Sequence, residues 1–65
     1  MPTGVVTAFD EHAGYGTVTS DDGTDHFFHC TEIADGSRTI GVGTAVTFEL
    51  WPRLGRFEAA NVKPR

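Results

Sequence analysis

Gly14-Tyr15-Gly16-Thr17-Val18, Asp21-Asp22-Gly23 and Asp25-His26-Phe27-Phe28-His29, followed by Ile33, decide the fold. An Asp-Gly pair between two short β-like runs predicts a hairpin. Side chains alternate along a strand, so Phe27 and His29 fall on one face, and Tyr15 joins them from the neighbouring strand. Phe28 and His26 then point inward, His26 near an end of the sheet where its ring reaches water. Aromatic groups exposed together on a small sheet form a platform on which unpaired nucleobases can stack.

Outward from this stretch, glycine and Asp-Gly punctuation cuts the 65 residues into short β-like runs, with no sustained helical repeat. Strands are predicted over residues 4–10, 15–20, 26–30, 45–51 and 57–62, with one helical turn near 32–35. Five short strands in one small all-β domain, residues 1–65, suit an antiparallel barrel, which closes its sheet and protects its edges. Alternation assigns Val46, Phe48 and Leu50 to the interior, and likewise Ala60 and Val62. Val6, Val18, Phe28 and Ile33 complete the predicted core. Trp51 and Phe57 flank Pro52-Arg53-Leu54-Gly55-Arg56 and are expected to pair across it.

A chain this short buries only ~60% of its unfolded surface, so its stability is expected to be marginal and a large catalytic cleft is excluded. The single cysteine cannot form an internal disulfide, which points to a reducing compartment and a cytoplasmic location. No stretch is long and apolar enough to span a bilayer. The formal charge is −4 and unevenly distributed. Up to residue 37 the acids Asp10, Glu11, Asp21, Asp22, Asp25, Glu32 and Asp35 face no lysine or arginine. Arg38, Arg53, Arg56, Lys63 and Arg65 all come later, against Glu49 and Glu58 alone. Phosphate contacts must come largely from that later part.

The chain resembles the cold-shock domain family, whose pattern runs G-x-V-K-W-F-N-x-x-K-G-Y/F-G-F-I, D-x-F-x-H, then G-x-x-V-x-F and A-x-N-V. Gly4, Val6, Phe9, Gly14, Tyr15, Gly16, Asp25, Phe27, His29, Ile33, Gly43, Val46, Phe48, Ala60, Asn61 and Val62 fall in register with it from end to end. The resemblance implies a five-stranded antiparallel barrel of the oligonucleotide-binding (OB) type. It also implies a monomer that binds single-stranded RNA or DNA with low sequence specificity, as a nucleic-acid chaperone or a regulator of transcription or translation. Matching positions in the family stack on bases, which assigns that role to Tyr15, Phe27 and His29, with Phe9 a weaker candidate partly buried beneath them. Ala8, Thr17, Cys30 and Ser37 stand where the family usually has an aromatic, and Thr7 and Ala13 where it often has lysine. Each missing platform removes about 1 to 3 kcal/mol of stacking, which implies weaker binding and a shorter footprint.

Arg38, Arg53 and Arg56 lie in or beside loops that flank the platform and are candidates to hold phosphates, Arg38 and Arg56 foremost. Lys63 and Arg65 form a basic tail. Asp25, His26, His29 and Cys30 invite a metal reading, but strand geometry sets His26 and His29 on opposite faces, and a structural site needs four ligands. No metal or cofactor is expected. His12 with Asp10 or Glu11 forms an acid-base pair only on paper, since an open loop supplies no desolvation, and no enzymatic activity is expected. A second class of function stays open: a protein-interaction module that has lost most of its nucleic-acid face. Its supporting features are the acidic first part, the missing aromatics and an apolar patch at Trp51, Leu54 and Phe57.

Overall fold

The computed structural model describes residues 2–53 and 55–65. Leu54, one member of the expected apolar patch, lies outside them. The strands are β1 (Thr3–Asp10), β2 (Tyr15–Ser20), β3 (Asp25–His29), β4 (Ala45–Arg53) and β5 (Arg56–Pro64), with a short 3-10 turn at Cys30–Glu32. They form one antiparallel sheet in the order β3-β2-β1-β4-β5. The Asp-Gly turn joins β2 to β3 as expected. The Gly23 N–H donates to the Ser20 carbonyl at 2.8 Å, and Gly23 takes φ +89°, a conformation that glycine adopts without steric cost.

Two boundaries differ from expectation for local reasons. The helical turn begins at Cys30 and β3 stops one residue early, because the Cys30 N–H bonds the Gly14 carbonyl at 2.8 Å and the chain then bends to bury Ile33. The last hairpin is longer than predicted, since β4 continues through Pro52 to Arg53 and pairs directly with Arg56. Proline breaks a strand only where its missing N–H has a partner to lose. Among the described residues β1 pairs with β4 at residues 45–47 and no strand flanks Pro52 on that side.

The sheet curls until β3 packs beside β5. This is the OB-type barrel, but its closure differs from the expected continuous sheet. No β3–β5 ladder forms among the described residues. Ile33 instead bridges Val62, and the Ala34 N–H donates to the Val62 carbonyl at 2.8 Å.

Val6, Val18, Phe28, Ile33, Val46, Phe48 and Val62 are buried, in agreement with the alternation. Two bulges alter the rest. The β1 register against β2 steps at Thr7, so Phe9 rather than Ala8 is the next inward residue after Val6. The β4–β5 register steps between Thr47 and Glu49, and Asn61 of β5 takes φ +50° there, a region asparagine tolerates. Ala59 therefore joins the core as well, beside Ala60, which is buried as expected. Leu50, also expected inside, is 41% exposed, because it lies beyond the segment of β4 that β1 covers.

Candidate nucleic-acid interface

The pairing of β1, β2 and β3 sets two rows of side chains on the outer face. Ala8, Thr17 and Phe27 form one row and Asp10, Tyr15 and His29 the next. Between them the row Phe9, Gly16, Phe28 points inward. Gly16 is a glycine for a packing reason. A Cβ there would stand 2.9 Å from Phe28 Cζ and Phe9 Cδ1 and 2.5 Å from the Ala8 carbonyl oxygen. Phe9 and Phe28 stack nearly parallel, with centroids 5.9 Å apart. That pair supports the outer face from below.

Above it, Tyr15 and Phe27 meet diagonally with ring centroids 6.5 Å apart and planes 28° from parallel. They are 49% and 47% exposed, in a domain where Phe28 and Phe48 are fully buried. Together with Ala8, Phe9, Asp10, Gly16 and Thr17 they line an open, largely apolar groove of about 270 Å³. Phe9 thus contributes to the groove from a half-buried position.

Arg56 arrives from β5 across the seam. Its guanidinium carbon lies 4.9 Å from the Phe27 ring centroid, within cation–π range. Glu58, two residues on, places one carboxylate oxygen 3.8 Å from His29 Nε2 and the other 3.9 Å from Arg56 Nε. The structure therefore brings Tyr15, Phe27, His29 and Arg56 together around Glu58. Glu58 was not singled out by sequence reasoning; its seam position depends on the curl of the whole sheet. Arg38 stands apart in the loop after Ile33, exposed, with φ +60°. It makes no ion pair to this cluster among the described residues.

The outer face is not uniformly basic. Asp10 shares the row of Tyr15 and His29, and Asp25 closes a third row with Val5 and Thr19. The bulged Thr7 shares a hydrogen bond of 2.9 Å with Thr19 of that row, and Thr19 donates to Asp25 at 2.7 Å. The metal reading gains no support from this geometry. His26 turns inward, its ring centroid 5.8 Å from that of Phe48, while His29 faces out toward Glu58. Cys30 packs against the core cluster from the turn. Trp51 and Phe57 do not pair as expected. The tight hairpin sets Trp51 opposite Glu58 and Phe57 opposite Pro52, so the two rings point to opposite faces.

The family described as the 'Cold-shock' DNA-binding domain matches residues 2–65. Cold shock protein 1 of Lactiplantibacillus plantarum is 39% identical over the full length of both chains. A cold shock-like protein of Thermotoga maritima is 39% identical over 92% of each chain. Cold shock-like protein CspG of Shewanella violacea is 40% identical over 92% of this chain and 89% of its own. Among solved structures, Drosophila Unr CSD456 superposes with a TM-score of 0.81 at 28% identity, covering 98% of this chain. The match spans about a quarter, 26%, of that longer chain.

Proposed function

The chain belongs to the cold-shock domain family, and from that premise we propose that its outer face binds single-stranded RNA or DNA with low sequence specificity. The observation that carries this reading is the half-exposed Tyr15–Phe27 stack with Arg56 beside it. Two rings of that size left in water forgo the burial that a domain this small needs. A base laid on them recovers it, and only an unpaired base offers the free face required.

Arg56 has a part in this exchange. Its exposed contact with Phe27 is worth about 0.5–1 kcal/mol, less than the 1–3 kcal/mol of a base stacked on an aromatic ring. A base therefore displaces the guanidinium from Phe27 and frees it to meet the phosphate on the same strand. Such binding keeps strands open without a cofactor or a catalytic step, which suits a monomeric nucleic-acid chaperone or a regulator of transcription or translation in the cytoplasm. Tyr15, Phe27, His29 and Arg56 carry it, with Phe9 beneath. Arg38 reaches a strand only where that strand extends past the platform.

An amide chemical-shift titration with a pyrimidine-rich oligonucleotide tests the reading. Shifts should cluster at β1, β2 and β3 around residues 8–10, 15–17 and 27–29. Shifts confined to other faces, or none at all, would overturn it.

A further inference from the structure

In the last hairpin Trp51 stands directly opposite Glu58, and Arg53 directly opposite Arg56. Residues so paired share a face, as do alternate residues along a strand, so these four side chains all look the same way. Arg56 and Glu58 are also the groups that reach Phe27 and His29. The hairpin's outer side is therefore continuous with the platform across the β3–β5 seam. Trp51 is 50% exposed there. Its indole N–H donates to Glu49 at 3.3 Å, and the other oxygen of Glu49 accepts from Asn61 at 2.9 Å, which orients the ring. Two arginines set face to face repel each other, and an anion between them turns that cost into two charge-assisted hydrogen bonds.

We propose that Trp51, Arg53 and Arg56 form an additional nucleotide subsite: Trp51 stacks one base, and the arginine pair holds an adjoining phosphate. The proposal rests on the nucleic-acid reading above and lengthens its footprint. It supplies on β4 part of the stacking area that Ala8 and Thr17 do not supply on β1 and β2. A duplex is excluded here for the same reason as at Phe27, since its bases are already stacked.

Trp51 is the chain's one tryptophan, so indole fluorescence reports on this position alone. Oligothymidylates of about four to about twelve nucleotides are titrated into the parent protein, Trp51→Ala, Trp51→Phe and Phe27→Ala. Short oligomers should bind without quenching. Beyond a threshold length the fluorescence should fall and the affinity should rise by about 5- to 100-fold. Trp51→Ala should abolish that step while leaving short-oligomer affinity and the thermal midpoint unchanged, and Trp51→Phe should keep most of it. If no length quenches Trp51, or the step survives Trp51→Ala, while Phe27→Ala weakens every length, the subsite is overturned and the platform stands. If neither Phe27→Ala nor Trp51→Ala weakens any length, the platform reading falls and the subsite with it. A Trp51→Ala effect seen only as lost self-association in sedimentation would assign this face to a second copy of the chain and overturn the proposal.

Discussion

Phe27 and Phe28 are adjacent in sequence and opposite in energetic role. Phe28 is fully buried on the inner face, stacked on Phe9, whereas Phe27 holds about half of its surface in water beside Tyr15 and Arg56. Phe28→Ala removes a core ring at a cost of about 3–5 kcal/mol, comparable with the whole stability expected of so small a domain. It should leave the chain largely unfolded by circular dichroism. Phe27→Ala should move the thermal midpoint little and weaken oligonucleotide binding by about 1–3 kcal/mol. Unchanged affinity with a sharply lower midpoint would make Phe27 a core residue instead. Among the described residues Glu58 is the one acid paired with the arginine and histidine of the platform, and in the proposed complex it would compete with phosphate for Arg56. Glu58→Gln keeps the shape and removes the charge, so calorimetry should show a few-fold gain in affinity at low salt that fades as salt rises. Weaker binding at low salt would show that Glu58 positions Arg56 and His29 rather than competing with the strand.

Short-range signals made the elements legible, and one-residue register events limited how far the reading could go. The Asp-Gly turn and the alternation around it gave β2, β3 and the inside-outside assignment of residues 26–29, because each depends on neighbours a few positions away. The bulges at Thr7 and Asn61 depend on how two distant strands settle against each other. Parity along β5 therefore missed Ala59, although it placed Ala60 inside correctly, and along β4 it could not foresee that β1 leaves Leu50 uncovered. The same limit hid Glu58 from the site and wrongly paired Trp51 with Phe57. Turn chemistry, by contrast, has a consequence that can be read from pH. The backbone N–H of Thr24, joined by its hydroxyl, holds the Asp22 carboxyl below its ordinary range, and Ser37 does the same to Asp35. A carboxyl whose folded pKa lies below its unfolded value stabilises the fold above the unfolded value. That contribution is lost as pH falls through the folded one. Asp22→Ala and Asp35→Ala should therefore lower the thermal midpoint at neutral pH, and the difference from the parent should shrink as pH falls through the lowered range of the folded carboxyls. A difference that persists at low pH would assign the effect to the alanine backbone and not to the charge.

Across the whole molecule, a net charge of −4 must be reconciled with the proposed contact with phosphates. Asp10 and Asp25 flank the aromatic rows, and among the described residues Arg56 is the one arginine in contact with them. Stacking must therefore supply most of the affinity. With two to three phosphates neutralised, the logarithm of affinity should fall against the logarithm of salt with a slope of about −1.5 to −2. A slope near −4 would require a basic surface that this chain lacks. If stacking dominates, adding a ring should help more than adding a charge, and the outer face has a place for one. Ala8 is exposed, shares a row with Thr17 and Phe27, and borders the groove that Tyr15 and Phe27 line. It lies two strands from Phe27, about 10 Å away, close enough for one oligonucleotide to stack on both. The resemblance to the cold-shock pattern sets a tryptophan at this position. Because Ala8 points out and Gly16 beneath it has already given the inward space to Phe9 and Phe28, a larger side chain there enters solvent and leaves the core undisturbed. Ala8→Trp should therefore fold with an unchanged thermal midpoint. It should bind a pyrimidine-rich strand more tightly by about 1–3 kcal/mol, a several-fold to hundredfold gain. If the variant folds normally and calorimetry shows no gain over the parent, the rows of Ala8 and Tyr15 do not meet a nucleic acid, and the proposed function fails with them.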